Sequence, residues 1–244
     1  MSFEKEVQER IDAIGNDKEL QSSAHDFMKA SVGAKYSYNF SWLGRPIIQY
    51  PQDMVAMQEL LWEVKPDLII ETGIAHGGSL IFYASILELI ATCTGQQGEV
   101  LGIDIDIRPH NRKAIEEHPM YKRISMIQGS STAPEIVAQV VEKAQGKKRI
   151  MVCLDSNHTH AHALAELEAY APLTSVGSYC VVFDTLIEDM GEGAYPDRPW
   201  GIGDNPKTAV WEYLKTHSEF EIDKGIDNKL LITVAPDGYL KRVR

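Results

Sequence analysis

The sequence predicts an α/β fold, a doubly wound, seven-stranded and mostly parallel sheet that follows an N-terminal helical extension. Three observations carry this. From Asp67 onward, apolar runs of strand length alternate with helical stretches, the pattern of a parallel sheet buried on both faces. Five such strand–helix units lead into two closely spaced strands, which suits an antiparallel pair at the sheet's end. A chain of 244 residues, 44% of them hydrophobic, fills one sizeable core.

Taken in order, Phe3, Val7, Ile11 and Ile14 recur at helical spacing with Glu and Lys between them, so the first segment reads as an amphipathic helix seeking a partner surface. Tyr36 to Pro46 is dense in aromatics and broken by Gly44 and Pro46. This strap either folds over a ligand or packs on the core. Residues 1–50 thus form an extension and strap, and residues 51–244 the main domain. Asp53 is placed to cap a helix through Met54, Met57, Leu61 and Val64, which Lys65-Pro66-Asp67 stops. Strands are expected at Leu68–Glu71, Val100–Ile105, Ile124–Gln128, Ile150–Leu154, Tyr179–Phe183, Phe220–Ile222 and Leu230–Val234. The helices between them are expected near Ser79–Ala91, Asn111–Glu117, Pro134–Lys143, His160–Tyr170 and Pro206–Thr216, the last opened by Asn205 as cap with proline at the first helical position. Pro236-Asp237-Gly238 reads as a turn.

The charge balance narrows the partners. With 24 Lys+Arg against 35 Asp+Glu the net charge is −11, so the chain lacks the positive field that nucleic acid or an anionic membrane surface requires. Cys93, Cys153 and Cys180 form no CxxC pair, which points to a reducing compartment without disulfides or structural zinc. No apolar run reaches transmembrane length, and the charged N-terminus is unlike a signal peptide, so a cytoplasmic protein is expected.

In open α/β sheets ligands sit beyond the carboxyl ends of the strands. The first expected strand ends in Glu71-Thr72-Gly73-Ile74-Ala75-His76-Gly77-Gly78-Ser79 and runs into a helix. Glycine there turns the backbone sharply and admits close approach. The spacing is neither G-x-G-x-x-G nor a P-loop, which weakens dinucleotide and triphosphate readings. An acidic residue before a looser glycine turn suits a ligand with a cationic amino-acid end and no pyrophosphate, such as S-adenosylmethionine; a structural turn is the competing reading. Asp104 ends the second strand, where a carboxylate accepts ribose hydroxyls or is simply solvated, and Ser130 after the third either lines an adenine pocket or belongs to an ordinary turn with a helix cap. Asp155 and Asp184 close the fourth and fifth strands. If adjacent, they repel unless a cation such as Mg²⁺ lies between them. His158, three residues after Asp155, reaches the same crevice as a candidate general base. Asp155 with His158, His160 and His162 alternatively suggests a two-histidine, one-carboxylate iron centre for oxygen chemistry.

Trp42-Leu43-Gly44-Arg45-Pro46, Pro51-Gln52-Asp53, Glu71-Thr72-Gly73 with Gly77-Gly78-Ser79, Leu154 to His158 and Val181 to Thr185 together resemble the cephalosporin hydroxylase family. The likeness continues through Asn205 to Val210 and Pro236 to Leu240. It implies a class I, Rossmann-like S-adenosylmethionine-dependent methyltransferase fold, with relatives that methylate rhamnosyl and macrolide-sugar hydroxyls using Mg²⁺. It further implies cofactor contacts from Glu71, Thr72, Gly73, His76, Gly77, Gly78, Ser79, Asp104, Ser130 and Asp155, metal ligation by Asp155 and Asp184, catalysis by His158 with Asp155, a small-molecule or glycan acceptor, and a homo-oligomer. One departure stands out: sugar-methylating relatives carry an acidic pair after the fifth strand, and here its first member is Phe183. That removes a ligand from the ion and leaves open a nucleoside-binding module without catalysis. The irregular segment Leu186–Gly203, with Glu188, Asp189, Tyr195, Arg198 and Trp200, reads as an acceptor loop, with a disordered connection or a subunit contact as the competing readings.

Overall fold

The structure is a computed structural model describing residues 2–244. Two helices, α1 (Phe3–Asn16) and α2 (Lys18–Gly33), precede a short antiparallel hairpin of β1 (Phe40–Trp42) and β2 (Arg45–Ile47). Ser2 caps α1 and Asp17 caps α2 through side-chain acceptors. The aromatic strap both packs and lines: Trp42 donates from its indole to Ser85 at 2.9 Å and meets Phe82 edge-on, while Tyr38 and Gln49 face a cavity.

Seven strands form the main sheet: β3 (Leu68–Thr72), β4 (Glu99–Asp104), β5 (Ile124–Gln128), β6 (Ile150–Leu154), β7 (Tyr179–Val182), β8 (Phe220–Ile222) and β9 (Tyr239–Arg242). Their spatial order is β5-β4-β3-β6-β7-β9-β8, parallel except for β9, which runs antiparallel to both neighbours. Side chains alternate across β3: Leu68 and Ile70 enter one core layer and Ile69 the other, so the strand is apolar throughout. On one side lie α3 (Pro51–Val64) and α4 (Gly78–Thr94). On the other, α6 (Pro134–Ala144) buries Ile136, Val140 and Ala144 at four-residue spacing beside α7 (His160–Tyr170) and α8 (Pro206–Tyr213). Helix α5 is Pro109–Glu116 and α9 is Lys224–Leu230. Asn205 and Thr208 complete a reciprocal capping box at α8.

Two expectations are corrected. Leu230–Val234 is no strand: Leu230 ends α9, Leu231 turns at φ 60°, and the chain pairs only from Tyr239, after the expected turn. Asp53 does not cap α3, whose cap is Tyr50. It is fully buried and instead accepts hydrogen bonds from the Thr233 hydroxyl, the Val234 N–H at 2.9 Å and the Tyr239 hydroxyl at 2.8 Å. That bridge fastens the segment after α9 to α3. No helix of the described residues is long and apolar enough to cross a membrane.

Candidate active site

The sheet reverses its winding between β3 and β6, and two cavities of about 250 Å³ each open beyond the carboxyl ends there. Gly73, Asp104 and Ser156 line both, which makes them one continuous cleft. The first cavity holds His76, Gly78, Ser79, Asp155, His158 and Asp184; the second holds Ser130. Gly73, His76, Gly78, Ser79, Asp104, Ser130, Asp155, His158 and Asp184 thus meet at a single rim of the molecule, while Glu71, Thr72 and Gly77 do not line it.

The turn after β3 is built by close packing. A Cβ on Gly73, at φ +90°, would lie 1.8 Å from the Asp155 carbonyl, and one on Gly78 would lie 2.1 Å from that of Pro46. These glycines thus admit the protein's own backbone, where the sequence suggested approach by a ligand. Gly77 abuts Ile115 and faces away from the cavity. Thr72 and Glu71 also stand behind the wall. Thr72 accepts the Asp155 N–H at 3.0 Å through its carbonyl, and the Glu71 carboxylate accepts from the Ser79 hydroxyl at 2.9 Å. Burial raises the Glu71 pKa to about 8 against the lowering effect of that bond.

Asp104 grips the same turn. One oxygen accepts the N–H groups of Ile74 at 2.8 Å and Ala75 at 3.2 Å, and the other accepts that of Asp106 at 2.9 Å. A carboxylate offers about four acceptor directions, so one remains for a ligand hydroxyl.

Asp155, His158 and Asp184 each present a ligand atom within 4.8 Å of the others, the grouping of metal-ligating type found among the described residues. His158 Nε2 lies 3.0 Å from the Asp184 carboxylate, and its ring meets Trp200 edge-on at 4.9 Å. Burial, and then the charge of Asp184, push the Asp155 carboxyl well above its ordinary range. Asp184 itself adopts φ 56°, a left-handed conformation that turns the chain out of β7 into the rim. Phe183 is 2% exposed and belongs to the core, so the position that departs from the acidic pair offers nothing to the cleft.

The iron-centre alternative does not assemble. His158 precedes α7 rather than sharing a helical face with His162. His160 is engaged by Thr208 at 2.8 Å and Glu212 at 3.3 Å, and His162 by Ser131, Ser156 and the buried Glu166. The expected acceptor loop is also corrected in part. Glu188 accepts from the Gly203 N–H at 2.8 Å and Asp189 pairs with the buried Lys207 at 2.7 Å, so both anchor the segment's ends. Trp200 lines the second cavity, with Arg198 over its ring at 5.2 Å. Sequence reasoning missed Tyr83, Ser156, Asn157 and Val234 as lining residues, and offered His162 only as an iron ligand; among the four, only Tyr83, four residues after Ser79 on one helical face, carried a readable signal.

Residues 34–243 match the family model described as Rhamnosyl O-methyltransferase/CmcI. The Rhamnosyl O-methyltransferase of Mycobacterium tuberculosis H37Rv is 34% identical over 195 residues, spanning 78% of this chain and 73% of that protein. That of Mycobacterium leprae is 31% identical over 223 residues, covering 91% of each. Among solved structures, a CmcI structure with Mg-SAM superposes with a TM-score of 0.57 at 21% identity, covering 85% of this chain and 78% of that one. A TDP-rhamnose 3'-O-methyltransferase of calicheamicin biosynthesis gives 0.53 at 14% identity over 99% and 95% of the two chains, and both likenesses speak for the fold. By the extent of the family match and of the mycobacterial identities, the chain belongs to the rhamnosyl O-methyltransferase/CmcI family.

Proposed function

We propose that this protein is an S-adenosylmethionine-dependent O-methyltransferase, assisted by Mg²⁺, that acts on a hydroxyl of a sugar or sugar-containing metabolite. The observation that carries the reading is the meeting of Asp155, His158 and Asp184 in the same cleft as the glycine turn and Asp104. The relatives' printed activity, rhamnosyl O-methylation, supports the acceptor class.

Asp155 and Asp184 fit a divalent ion, because two carboxylates this close repel and a cation between them removes the conflict. When bound, S-adenosylmethionine supplies an electrophilic methyl and Mg²⁺ a Lewis acid that acidifies the acceptor hydroxyl. The chain's own residues do the rest. Ser79 and the turn from Gly73 to Gly78 receive the amino-acid end of the cofactor, with Glu71 behind Ser79. Asp104 receives the ribose, and Ser130 with Ser131, Ser156 and Asn157 the adenine. The Asp184 carboxylate, 3.0 Å from His158 Nε2, engages that nitrogen and orients the ring, and Nδ1 is the nitrogen left to take the acceptor's proton. Trp200 against the His158 ring limits its rotation and shields it from water.

In the same reading, residues 51–244 carry cofactor and metal, while residues 1–50 supply the acceptor wall through Tyr38 and Gln49. The enzyme acts in the cytoplasm, where its three unpaired thiols stay reduced. It self-associates through α1, which has no buried residue and leaves Phe3 69% exposed; a monomeric sedimentation profile would remove that part.

The test is calorimetric titration of S-adenosylhomocysteine with and without Mg²⁺, followed by methyl transfer to a panel of deoxyhexose glycosides and nucleotide sugars. The expected result is binding together with transfer that a chelator suppresses. No binding ends the reading, and binding without transfer to any acceptor replaces it with a nucleoside-binding module.

A further inference from the structure

We infer that Arg45 is a positioning residue for the cofactor: from the hairpin tip it clamps the turn after β3 in the one conformation that presents a cofactor cradle. The inference rests on the cofactor reading above. Ala75, in the middle of that turn, has φ +46°, a left-handed conformation that a Cβ disfavours. Such strain persists where the surroundings over-determine it. Here three side chains from three elements do so. Asp104 accepts the Ala75 N–H at 3.2 Å from inside the fold. Asn111 of α5, itself 4% exposed, donates to the Ala75 carbonyl at 3.0 Å. Arg45 of β2 donates through Nε to the carbonyl of His76 at 3.1 Å, reaches the same oxygen through Nη2, and donates to the Asn111 side-chain amide oxygen at 3.1 Å.

Two further contacts seat the hairpin where this clamp works. The Pro46 carbonyl occupies the place of a Cβ on Gly78, and the Leu43 carbonyl lies 3.1 Å from His118 Nε2. Asp104 pulls the turn from within and Arg45 from without. Because Asp104 is also the acid proposed to take the ribose with its one remaining acceptor direction, the external clamp shares with it the task of holding Ala75. The strap that carries Arg45 also carries Tyr38 and Gln49 into the cleft, so one element sets both the cofactor turn and the acceptor wall.

The experiment is a double-mutant cycle read by calorimetric titration of S-adenosylhomocysteine. Arg45→Gln removes charge-assisted bonds to two carbonyl oxygens and is expected to weaken binding about tenfold or more. Ala75→Gly, which adopts the left-handed turn freely, supplies the second background, and its own affinity is the reference for that arm of the cycle. In the Ala75→Gly background, loss of Arg45 is expected to cost no more than about threefold, because the strain that the clamp restrains is gone. Arg45→Lys keeps the charge but on a single nitrogen without the guanidinium fork, and gives an intermediate loss, which secures the test if Arg45→Gln does not fold. Equal cost of Arg45→Gln in both backgrounds, or a loss under about threefold in the wild type, overturns the inference. A wild type that binds no S-adenosylhomocysteine overturns the function itself, so the two failures are separable.

Discussion

Asp53→Asn probes the buried acid that fastens the cleft's floor. The carboxylate is 0% exposed and its three donors do not offset burial, so its pKa rises from 3.8 to about 6. The folded value lies above the unfolded one. This group's contribution to stability is therefore fully present below the unfolded pKa and is lost as pH rises through about 6. The gap between about 6 and 3.8 corresponds to about 3 kcal/mol at about 1.4 kcal/mol per pH unit. Asparagine reproduces the neutral acid's size, and its carbonyl accepts from Thr233 and Tyr239. Its amide then faces the Val234 N–H, and that orphaned donor costs about 1–3 kcal/mol at every pH. At about pH 4 the variant should be less stable by that amount; by about pH 7.5 the wild type has lost about 3 kcal/mol that the variant has not, so the gap closes or reverses. Urea unfolding followed by tryptophan fluorescence, with chelator present, measures it. Taking the difference between the two proteins cancels titration of the other raised acids, Glu71 and Asp227. A stability gap that does not change with pH refutes the reasoning.

Three further outcomes are expected. His158→Ala should lower kcat by about 10²–10⁴ and leave S-adenosylhomocysteine affinity within about threefold, by stopped assays alongside calorimetry; a change confined to KM contradicts a proton-accepting role. Asp184→Asn leaves Asp155 as the one carboxylate of the group, so Mg²⁺ titrations should show affinity reduced by at least about tenfold and activity that chelator no longer alters; a Mg²⁺ response like that of the wild type contradicts ligation by this residue. Gly78→Ala drives a methyl to 2.1 Å from the Pro46 carbonyl and should displace the hairpin, raising KM for the cofactor more than it lowers kcat; unchanged kinetics would separate the strap from the site.

The lysine of α8 and the turn before β9 show why motif and role part company. Lys207 and Asp237, both in segments that carry the family likeness, lie away from the cleft. Lys207 pairs with Asp189 at 2.7 Å and stands 3.9 Å from Asp237, tying α8 to the root of the 190–203 segment. Their part is to hold that segment in place, and with it Trp200 over His158.

Period and polarity along the chain determined a great deal: the strands from Leu68 to Val182, the helices between them within a few residues, and the acids Asp104, Asp155 and Asp184 at strand ends. These are local signals, because a strand buried on both faces must be apolar along its length and must turn polar where it leaves the sheet. Tertiary structure alone decided the rest. Leu230–Val234 has a strand's composition, yet Asp53, 181 positions before Val234, holds its end as an irregular segment, and β9 forms beyond it. Asp53 looked like a cap because its short side chain carries the acceptor oxygen a cap needs, and only the neighbours brought by the fold revealed it as a buried strut. The glycines were visible as a turn, but whether a ligand or the Asp155 and Pro46 carbonyls filled the vacated Cβ space depended on which strands lie side by side, a long-range outcome that no local pattern encodes.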